Sequence, residues 1–344
     1  MNIMGTINPW GCENFNDVIK KVIAKGIKCF RVNLKTYYEK EHFDYLFDVI
    51  NEMILIDNDI SFVFDIGFPR DTTRTIVNND KGYIKVNGND IYISNKSPYY
   101  SKNTIFINSN LCVKIGDIIY YGDGQSYLTV SGCCAEGLWE AKTSTCDMVI
   151  WGNTAMHFEK EAYEMPYNME LIRAFLIKIE SRINYKVALS FVETKEDIED
   201  FVELCGNQKI ISKIESQKAI DNLDEIMKYS EHIMLGRGDL LFNTKLESFL
   251  HNQVTVIKKC NENNKNIIVS TGILTSMKNE LLPTRAELID LILLNELGVH
   301  SINLSSHILQ SENIHKVVEL INSLNSNQRL LANPKSDRNS KSWF

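Results

Sequence analysis

Short apolar runs alternate with segments of helical periodicity over most of the chain. Eight runs have the length and apolar content of buried parallel strands: Asn2–Ile7, Lys28–Leu34, Ser61–Asp65, Tyr185–Phe191, Lys209–Glu215, His232–Gly236, Ile267–Thr271 and Ser301–Ser305. Spacings of three and four between apolar residues predict helices over Asn14–Ala24, Glu39–Met53, Lys195–Leu204, Lys218–Tyr229, Leu246–Asn261 and Arg285–Leu297. This alternation predicts an α/β fold, a closed (β/α)8 TIM barrel rather than an open doubly wound sheet.

The regular alternation stops between about Ile66 and Asn153, where short alternating strands and turns replace it. Asn87-Gly88 and Asp123-Gly124 are strong hairpin signals in this stretch. We therefore expect a barrel domain formed by residues 1–65 and 154–325, a small β-barrel-like domain at 66–153 inserted after the third strand, and a flexible tail at 326–344. An insert at that end of a strand lies on the face where barrel active sites form, so we expect it to act as a lid.

Composition and charge narrow the class of protein. The formal net charge is −7 and no basic block is present, which argues against a nucleic-acid partner. No apolar run approaches the roughly 18 residues needed to cross a membrane. The chain does not begin with a signal-peptide pattern, and none of its eight cysteines forms a CxxC pair. These features indicate a reduced, cytoplasmic protein and leave a homo-oligomer open.

Two segments at strand ends carry candidate chemistry. Lys213 and Glu215 end one predicted strand, and Asp239 follows the next one in a Gly-Arg-Gly-Asp segment. A Lys-x-Glu by itself is more often a surface ion pair. Two carboxylates on adjacent strand ends of a barrel, however, can hold one divalent cation, and the lysine can stabilise an anion bound to it. Arg31 lies within an apolar strand, where an unpaired charge is costly, which favours a ligand or an ion pair.

Several segments together resemble pyruvate kinase over about Met4 to Leu320: Gly26–Asn33, Tyr121–Gly124, Ser190–Val192, Ser212–Glu215, Gly236–Asp239 and Pro283–Glu287. The resemblance implies that Glu215 and Asp239 bind Mg²⁺ or Mn²⁺, which in turn holds phosphoenolpyruvate. It implies that Lys213 and Arg31 lie beside the transferring phosphoryl group. It also places Thr271 near the enolate carbon. The implied substrate-binding residues are Gly238, Asp239, Thr271, Ser190 and Arg237.

The chain departs from the family at two sites. Of the family's potassium ligands, Asn33 and Asp65 remain, but Lys35 and Ile66 occupy the serine and threonine positions. The Lys35 ammonium could replace the potassium ion, so we expect activity without added K⁺. A solvated loop lysine is the alternative.

The nucleotide side differs more. The family's arginine position falls on Thr72, with Arg70 or Arg74 as substitutes, and Trp151 occupies a lysine position. The late Ser-Gly-Glu-Thr segment reads Ser305-Ser-His-Ile308, in which His307 is either an acid/base group or a rim residue. The family's C-terminal domain has no counterpart in these 344 residues, so we assume neither its effector site nor its tetramer interface.

The resemblance implies a phosphotransferase acting on phosphoenolpyruvate or a pyruvate-like molecule, with ADP/ATP or a specialised acceptor as the second substrate. Two alternatives stay open: a metal-dependent lyase or decarboxylase that stabilises an enolate from an oxo-acid, and a non-catalytic regulatory homologue. Retention of both metal carboxylates and of Lys213 argues against the second alternative.

Overall fold

The computed structural model describes residues 1–9, 12, 14–37, 39–68, 75–77, 83–87, 90–95, 104–107, 113–122, 126–145, 147–151, 154–158, 169–206 and 208–326. The chain divides into two compact units. One consists of Met1–Pro69 together with Pro166–Phe344, and the other is Arg70–Met165.

The first unit is a closed barrel of eight parallel strands. These are β1 (Asn2–Ile7), β2 (Cys29–Asn33), β3 (Ser61–Ile66), β4 (Asn184–Leu189), β5 (Ile210–Ile214), β6 (His232–Gly236), β7 (Asn266–Ser270) and β8 (Ser301–Leu304). Each strand pairs with the next, and β8 closes the barrel on β1 with Asn2 opposite Ser301. The predicted TIM barrel is confirmed.

Helices surround this barrel and supply the outer half of its core. They span Phe15–Ala24, Lys40–Ile56, Met169–Ile179, Lys195–Cys205, Gln217–Asp221, Leu223–Tyr229, Arg237–Phe242, Phe249–Glu262, Arg285–Glu296, Ser306–Leu309 and Ile314–Ser326, with 3₁₀ turns at Leu34–Thr36, Leu246–Ser248 and Thr275–Lys278. The predicted helix at Lys218–Tyr229 is broken at Asn222. The helices Met169–Ile179 and Ile314–Ser326 were not predicted, although both bury an apolar stripe at helical spacing.

An apolar layer fills the inside of the barrel, one residue from each of seven strands: Met4, Cys29, Val63, Ala188, Ile211, Met234 and Ile268. Side chains two positions apart on a strand point to the same face. The next inward layer, towards the carboxyl ends of the strands, therefore contains Thr6, Arg31, Asp65, Ser190, Lys213, Gly236 and Ser270. The apolar layer thus forms a closed floor beneath a charged layer.

The second unit is built from antiparallel sheets with a core of its own. Its larger sheet has the order Met156–Phe158, Ile118–Tyr121, Ser126–Ala135, Leu138–Thr143, Asp90–Ser94, Thr104–Ile107 and Thr75–Ile76, in which only the pair Asp90–Ser94 and Thr104–Ile107 is parallel. A smaller sheet pairs Tyr83–Asn87 with Asp147–Trp151.

Two expectations about this unit need correction. The insert was expected to end at residue 153, but Met156–Phe158 pairs with Ile118–Tyr121 and so belongs to the second unit. The strands on either side of Asn87-Gly88 pair with different partners and do not form the expected hairpin. Both errors arise from long-range pairing, which local turn signals do not encode. Ile118–Tyr121 and Ser126–Ala135 do pair as the Asp123-Gly124 turn requires.

Among the described residues, no helix combines the length and the apolar content needed to cross a membrane. The expected tail lies outside the described residues beyond Ser326.

The aromatic cluster beneath β3 gives a test of the barrel core. Phe64 is fully buried, and its ring centroid lies 5.3 Å from that of Phe175 and 5.6 Å from that of Tyr185. Phe64→Ala should lower the free energy of unfolding by about 3–5 kcal/mol, because it removes a large side chain and leaves a cavity. Leu55→Ala, at a position 87% exposed, should stay within about 0.5 kcal/mol of wild type. Urea denaturation of both variants checks this, and equal midpoints would contradict the packing described.

Candidate active site

Asp65, at the carboxyl end of β3, lies at the centre of the charged layer. Arg31 donates to its Oδ2 from Nε at 2.8 Å and from Nη2 at 2.6 Å. Lys213 Nζ lies 3.3 Å from Oδ2, and Lys35 Nζ lies 3.9 Å from Oδ1. The Ser190 hydroxyl also donates to Oδ1 of Asp65, at 3.5 Å. One buried carboxylate therefore fixes three cations that come from β2, from the turn after it, and from β5.

The charges in this cluster support one another. Burial opposes ionisation of Asp65, but Arg31, Lys213 and Lys35 outweigh it and hold the pKa of that carboxyl well below its usual range. Burial likewise disfavours the charged form of Lys213, yet Asp65 and Glu215 outweigh this and raise the pKa of the lysine. Asp65 is thus an anion and Lys213 a cation throughout the physiological pH range.

Glu215 follows β5 directly and is 1% exposed. Its Oε1 lies 2.9 Å from Lys213 Nζ, and its Oε2 accepts the backbone N–H of Phe191 at 3.0 Å. The carboxylate lies against the end of β6, where a Cβ added to Gly236 would come within 2.3 Å of Oε1. Only glycine fits there, because any side chain would displace the carboxylate.

Glu215 and Asp239 suit a hard divalent cation. Asp239 lies in the first turn of the helix Arg237–Phe242, which begins directly after β6. Burial raises the pKa of Glu215; Lys213 opposes that shift, and the nearby negative charge of Asp239 adds to it. A divalent cation relieves the repulsion between two such carboxylates, and their hard oxygens match Mg²⁺ or Mn²⁺. Within the described part of the chain, no group of three or more His, Cys, Asp or Glu side chains could hold a metal.

Thr271 and the Arg237–Asp239 segment are in direct contact. A Cβ added to Gly238 would lie 3.1 Å from Thr271 Cγ2, so the threonine side chain packs over that glycine. Arg237, predicted as a substrate contact, donates to the Thr271 carbonyl from Nε at 3.0 Å and from Nη2 at 2.6 Å. Its Nη1 donates to both carboxylate oxygens of Asp290 at 2.8 Å. The guanidinium is thus directed at protein acceptors.

Two residues that the sequence reasoning missed lie beside Arg31. Its Nη1 donates to Thr6 Oγ1 at 3.2 Å, and the Thr6 hydroxyl donates to Asn303 Oδ1 at 3.1 Å. Both lie on inward-facing positions, in β1 and β8. Only strand alternation could have identified Thr6 from the sequence, because it comes two residues after Met4 of the apolar layer and so points to the same face. Thr6, oriented by Asn303, therefore holds Arg31 Nη1, while Nε and Nη2 of the same guanidinium bind Asp65.

Lys35 lies where the sequence reasoning placed an internal cation. Its side chain is 2% exposed, and its backbone N–H donates to Asn33 Oδ1 at 3.2 Å. Asn33, Lys35 and Asp65 are therefore neighbours. Ile66, the altered fourth position, is the last residue of β3 and is fully buried.

The residues expected on the acceptor side are not brought into this cluster by any described contact. Arg70 and Arg74 lie outside the described residues. Trp151 belongs to the second unit, where it is 54% exposed and its ring centroid lies 4.8 Å from that of Tyr83. His307 lies on the short helix after β8, where the residue as a whole is exposed. Partial desolvation of its ring and the positive charge of Lys278 lower its pKa.

Comparison with known proteins agrees with this geometry. The sequence profile for the barrel domain of pyruvate kinase matches residues 1–317. The chain is 29% identical over 299 residues to pyruvate kinase of Thermoplasma acidophilum, which covers 84% of this chain and 51% of that protein. It is 26% identical over 286 residues to pyruvate kinase of Mycoplasma pneumoniae, covering 79% of this chain and 56% of that protein. A stretch of 113 residues is 42% identical to pyruvate kinase of Lactobacillus delbrueckii subsp. bulgaricus, which covers 31% of this chain and 19% of that protein.

The chain spans about half the length of the two relatives that it matches over most of its own length. The matched region contains the whole barrel and the second unit. It also contains every residue of the charged layer described above. The resemblance inferred from short motifs is confirmed, and the chain belongs to the pyruvate kinase family.

Proposed function

We propose that the protein is a metal-dependent phosphotransferase that moves a phosphoryl group between phosphoenolpyruvate and an acceptor. One observation carries the proposal. Lys213 is fixed between Asp65 and Glu215, on the same inward layer as Arg31 and beside a carboxylate pair suited to a divalent cation. A site for an anionic substrate that develops further negative charge needs this combination of fixed cations and metal ligands.

The charge balance of the cluster fits such a substrate. Three cations (Arg31, Lys35 and Lys213) face three anions (Asp65, Glu215 and Asp239). A divalent cation therefore leaves an excess of two positive charges. Phosphoenolpyruvate carries a phosphate and a carboxylate, whose negative charge offsets that excess.

Each residue has a distinct part in the proposed reaction. Glu215 and Asp239 would hold Mg²⁺ or Mn²⁺, which would supply Lewis-acid chemistry for the bound substrate. The bond between phosphorus and the enol oxygen breaks, its electron pair stays on that oxygen, and phosphorus bonds to an acceptor oxygen. Lys213 and Arg31 stabilise the charge that spreads over the phosphoryl oxygens. The enolate carbon then takes a proton from solvent water, a step that the Thr271 hydroxyl assists, and pyruvate is the product.

ADP is the first acceptor to test, since the matched relatives are pyruvate kinases. A specialised acceptor is consistent with Thr72 and Trp151, which occupy positions where the family resemblance implies an arginine and a lysine on the nucleotide side.

Lys213 gives the first test of this proposal. Incubation with phosphoenolpyruvate, Mg²⁺ and ADP or another acceptor, followed by phosphorus NMR, should show transfer by the wild-type protein. Lys213→Ala should lower the rate at least ~10³-fold, because a buried charge that stabilises the transition state is lost. Binding of Mn²⁺, measured by titration, should remain, since both metal carboxylates are retained.

Lys259→Ala is the matched control, because this lysine forms an exposed ion pair with Asp224 on the outside of the barrel. It should transfer at the wild-type rate. Wild-type turnover by Lys213→Ala would refute the role given to Lys213. Turnover of oxaloacetate without any phosphorus transfer would instead support the lyase alternative. Ligand binding with neither reaction would support the regulatory one.

Lys35 gives a second test, concerning the monovalent cation. We propose that its buried ammonium takes the place of potassium beside Asp65 and Asn33, so that K⁺ is not required. Transfer rates in K⁺ and in tetramethylammonium should therefore agree within about twofold for the wild-type protein. Lys35→Ser should be slow in tetramethylammonium and recover at least ~10-fold in K⁺, because the lost charge can then be supplied from solution.

Lys40→Ser controls for the removal of a lysine, since Lys40 is exposed and forms an ion pair with Asp44 four residues along its helix. Its rates should not depend on the cation. A wild-type protein with strict dependence on K⁺ would contradict the internal-cation proposal while leaving the phosphotransferase proposal intact.

A further inference from the structure

The segment after β7 has positive backbone φ angles at two residues that carry side chains, Thr271 and Leu274. Thr271 has φ = 72°, and it is followed by Gly272 at 73° and by Leu274 at 51°. Positive φ is uncommon for a residue with a side chain and is most costly for a β-branched one such as threonine. Such a conformation persists only where surrounding contacts hold it.

Arg237 supplies those contacts at the Thr271 carbonyl. Its Nε and Nη2 both donate to that single oxygen, at 3.0 and 2.6 Å. Because the guanidinium is planar and rigid, two donors on one acceptor fix the direction of the carbonyl as well as its position. The orientation of the Thr271 peptide group is therefore tied to the Arg237 side chain.

Asp290 and Gln253 anchor that side chain from behind. Both carboxylate oxygens of Asp290, on the helix Arg285–Glu296, accept from Nη1 at 2.8 Å. Gln253 Oε1, on the helix Phe249–Glu262, lies 3.3 Å from the same nitrogen. Arg237 is only 9% exposed, and its guanidinium connects the segments that follow β6 and β7 to the two helices Phe249–Glu262 and Arg285–Glu296.

The segment Arg237–Asp239 also contains Asp239, one of the two proposed metal ligands. Gly238 packs against the Thr271 side chain, and Asp239 comes next in the chain. A displacement of Thr271 relative to this segment would move its hydroxyl with respect to a substrate bound at Asp239. Rate losses of about 10²-fold accompany misplacements of about 1 Å in such sites.

We propose that Arg237 and Asp290 are positioning residues, which hold the Thr271 hydroxyl at the carbon of the enolate that gains a proton. Arg237 acts through the Thr271 carbonyl and does not bind substrate itself. This inference rests on the proposed function. It predicts that the Arg237–Asp290 pair affects the proton step more than it affects substrate binding.

Deuterium exchange isolates that step. In D₂O, a methyl proton of pyruvate leaves to give the enolate, and a deuteron returns to the same carbon, so loss of the methyl proton signal reports the rate. Mg²⁺ and inorganic phosphate are included, the phosphate to occupy the phosphoryl position beside Lys213. Asp290→Asn should lower the exchange rate about 10-fold, and Arg237→Lys about 100-fold, because lysine cannot place two donors on one carbonyl. KM for phosphoenolpyruvate in phosphoryl transfer should change by less than about threefold.

A double-variant cycle shows whether the effect passes through Thr271. Thr271→Val removes the hydroxyl and should itself slow exchange. Adding Asp290→Asn to Thr271→Val should then slow it no further, because residues that act through one group are not additive. Asp290→Glu, which keeps a carboxylate, should recover part of the rate. Asp224→Asn, which breaks an exposed ion pair with Lys259, is the matched control and should exchange at the wild-type rate.

Three results would overturn the positioning role: wild-type exchange by Asp290→Asn, an additive loss in the double variant, or a rise in KM that accounts for the whole effect. A wild-type protein that neither exchanges pyruvate nor transfers phosphoryl groups would overturn the proposed function itself. Normal phosphoryl transfer with unchanged exchange in both Arg237 and Asp290 variants would overturn this inference alone.

Discussion

The site depends on one buried carboxylate. Asp65 accepts from the guanidinium of Arg31 and lies within ion-pair distance of both Lys213 and Lys35. Together with Glu215 it offsets cations that would each be strongly disfavoured alone in a buried site. It also sets the protonation states, because the cations keep it ionised and it keeps Lys213 charged. The direction of the Lys213 side chain is fixed because its Nζ lies between the carboxylates of Asp65 and Glu215.

The barrel builds this cluster by strand alternation. An apolar floor closes the interior, and the residue two positions beyond each floor residue carries the polar group: Arg31 after Cys29, Asp65 after Val63, Lys213 after Ile211. Because strand ends of a parallel barrel meet at one face, residues far apart in sequence converge there. Low-dielectric surroundings on the floor side then strengthen every charge interaction above it.

This geometry explains what could be read from the sequence. The strands and the pair Lys213–Glu215 were predictable because periodicity and strand ends are local signals. The bonds of Arg237 to Thr271 and Asp290 were not, because they join three elements and depend on side-chain direction. Thr6 and Asn303 were missed because single uncharged residues in strands carry no local signal. The late boundary of the insert arises from a strand pair that closes over a long separation.

Crystals grown with Mn²⁺ and phosphoenolpyruvate would test the central claim, that the barrel mouth holds an enol phosphate on a metal between Glu215 and Asp239. Anomalous scattering locates the manganese independently of the protein atoms. The account predicts a single strong peak about 2.1 Å from an oxygen of each carboxylate, with the phosphate in contact with Lys213 and Arg31. A manganese peak away from both carboxylates, or a phosphate that contacts neither cation, would contradict it.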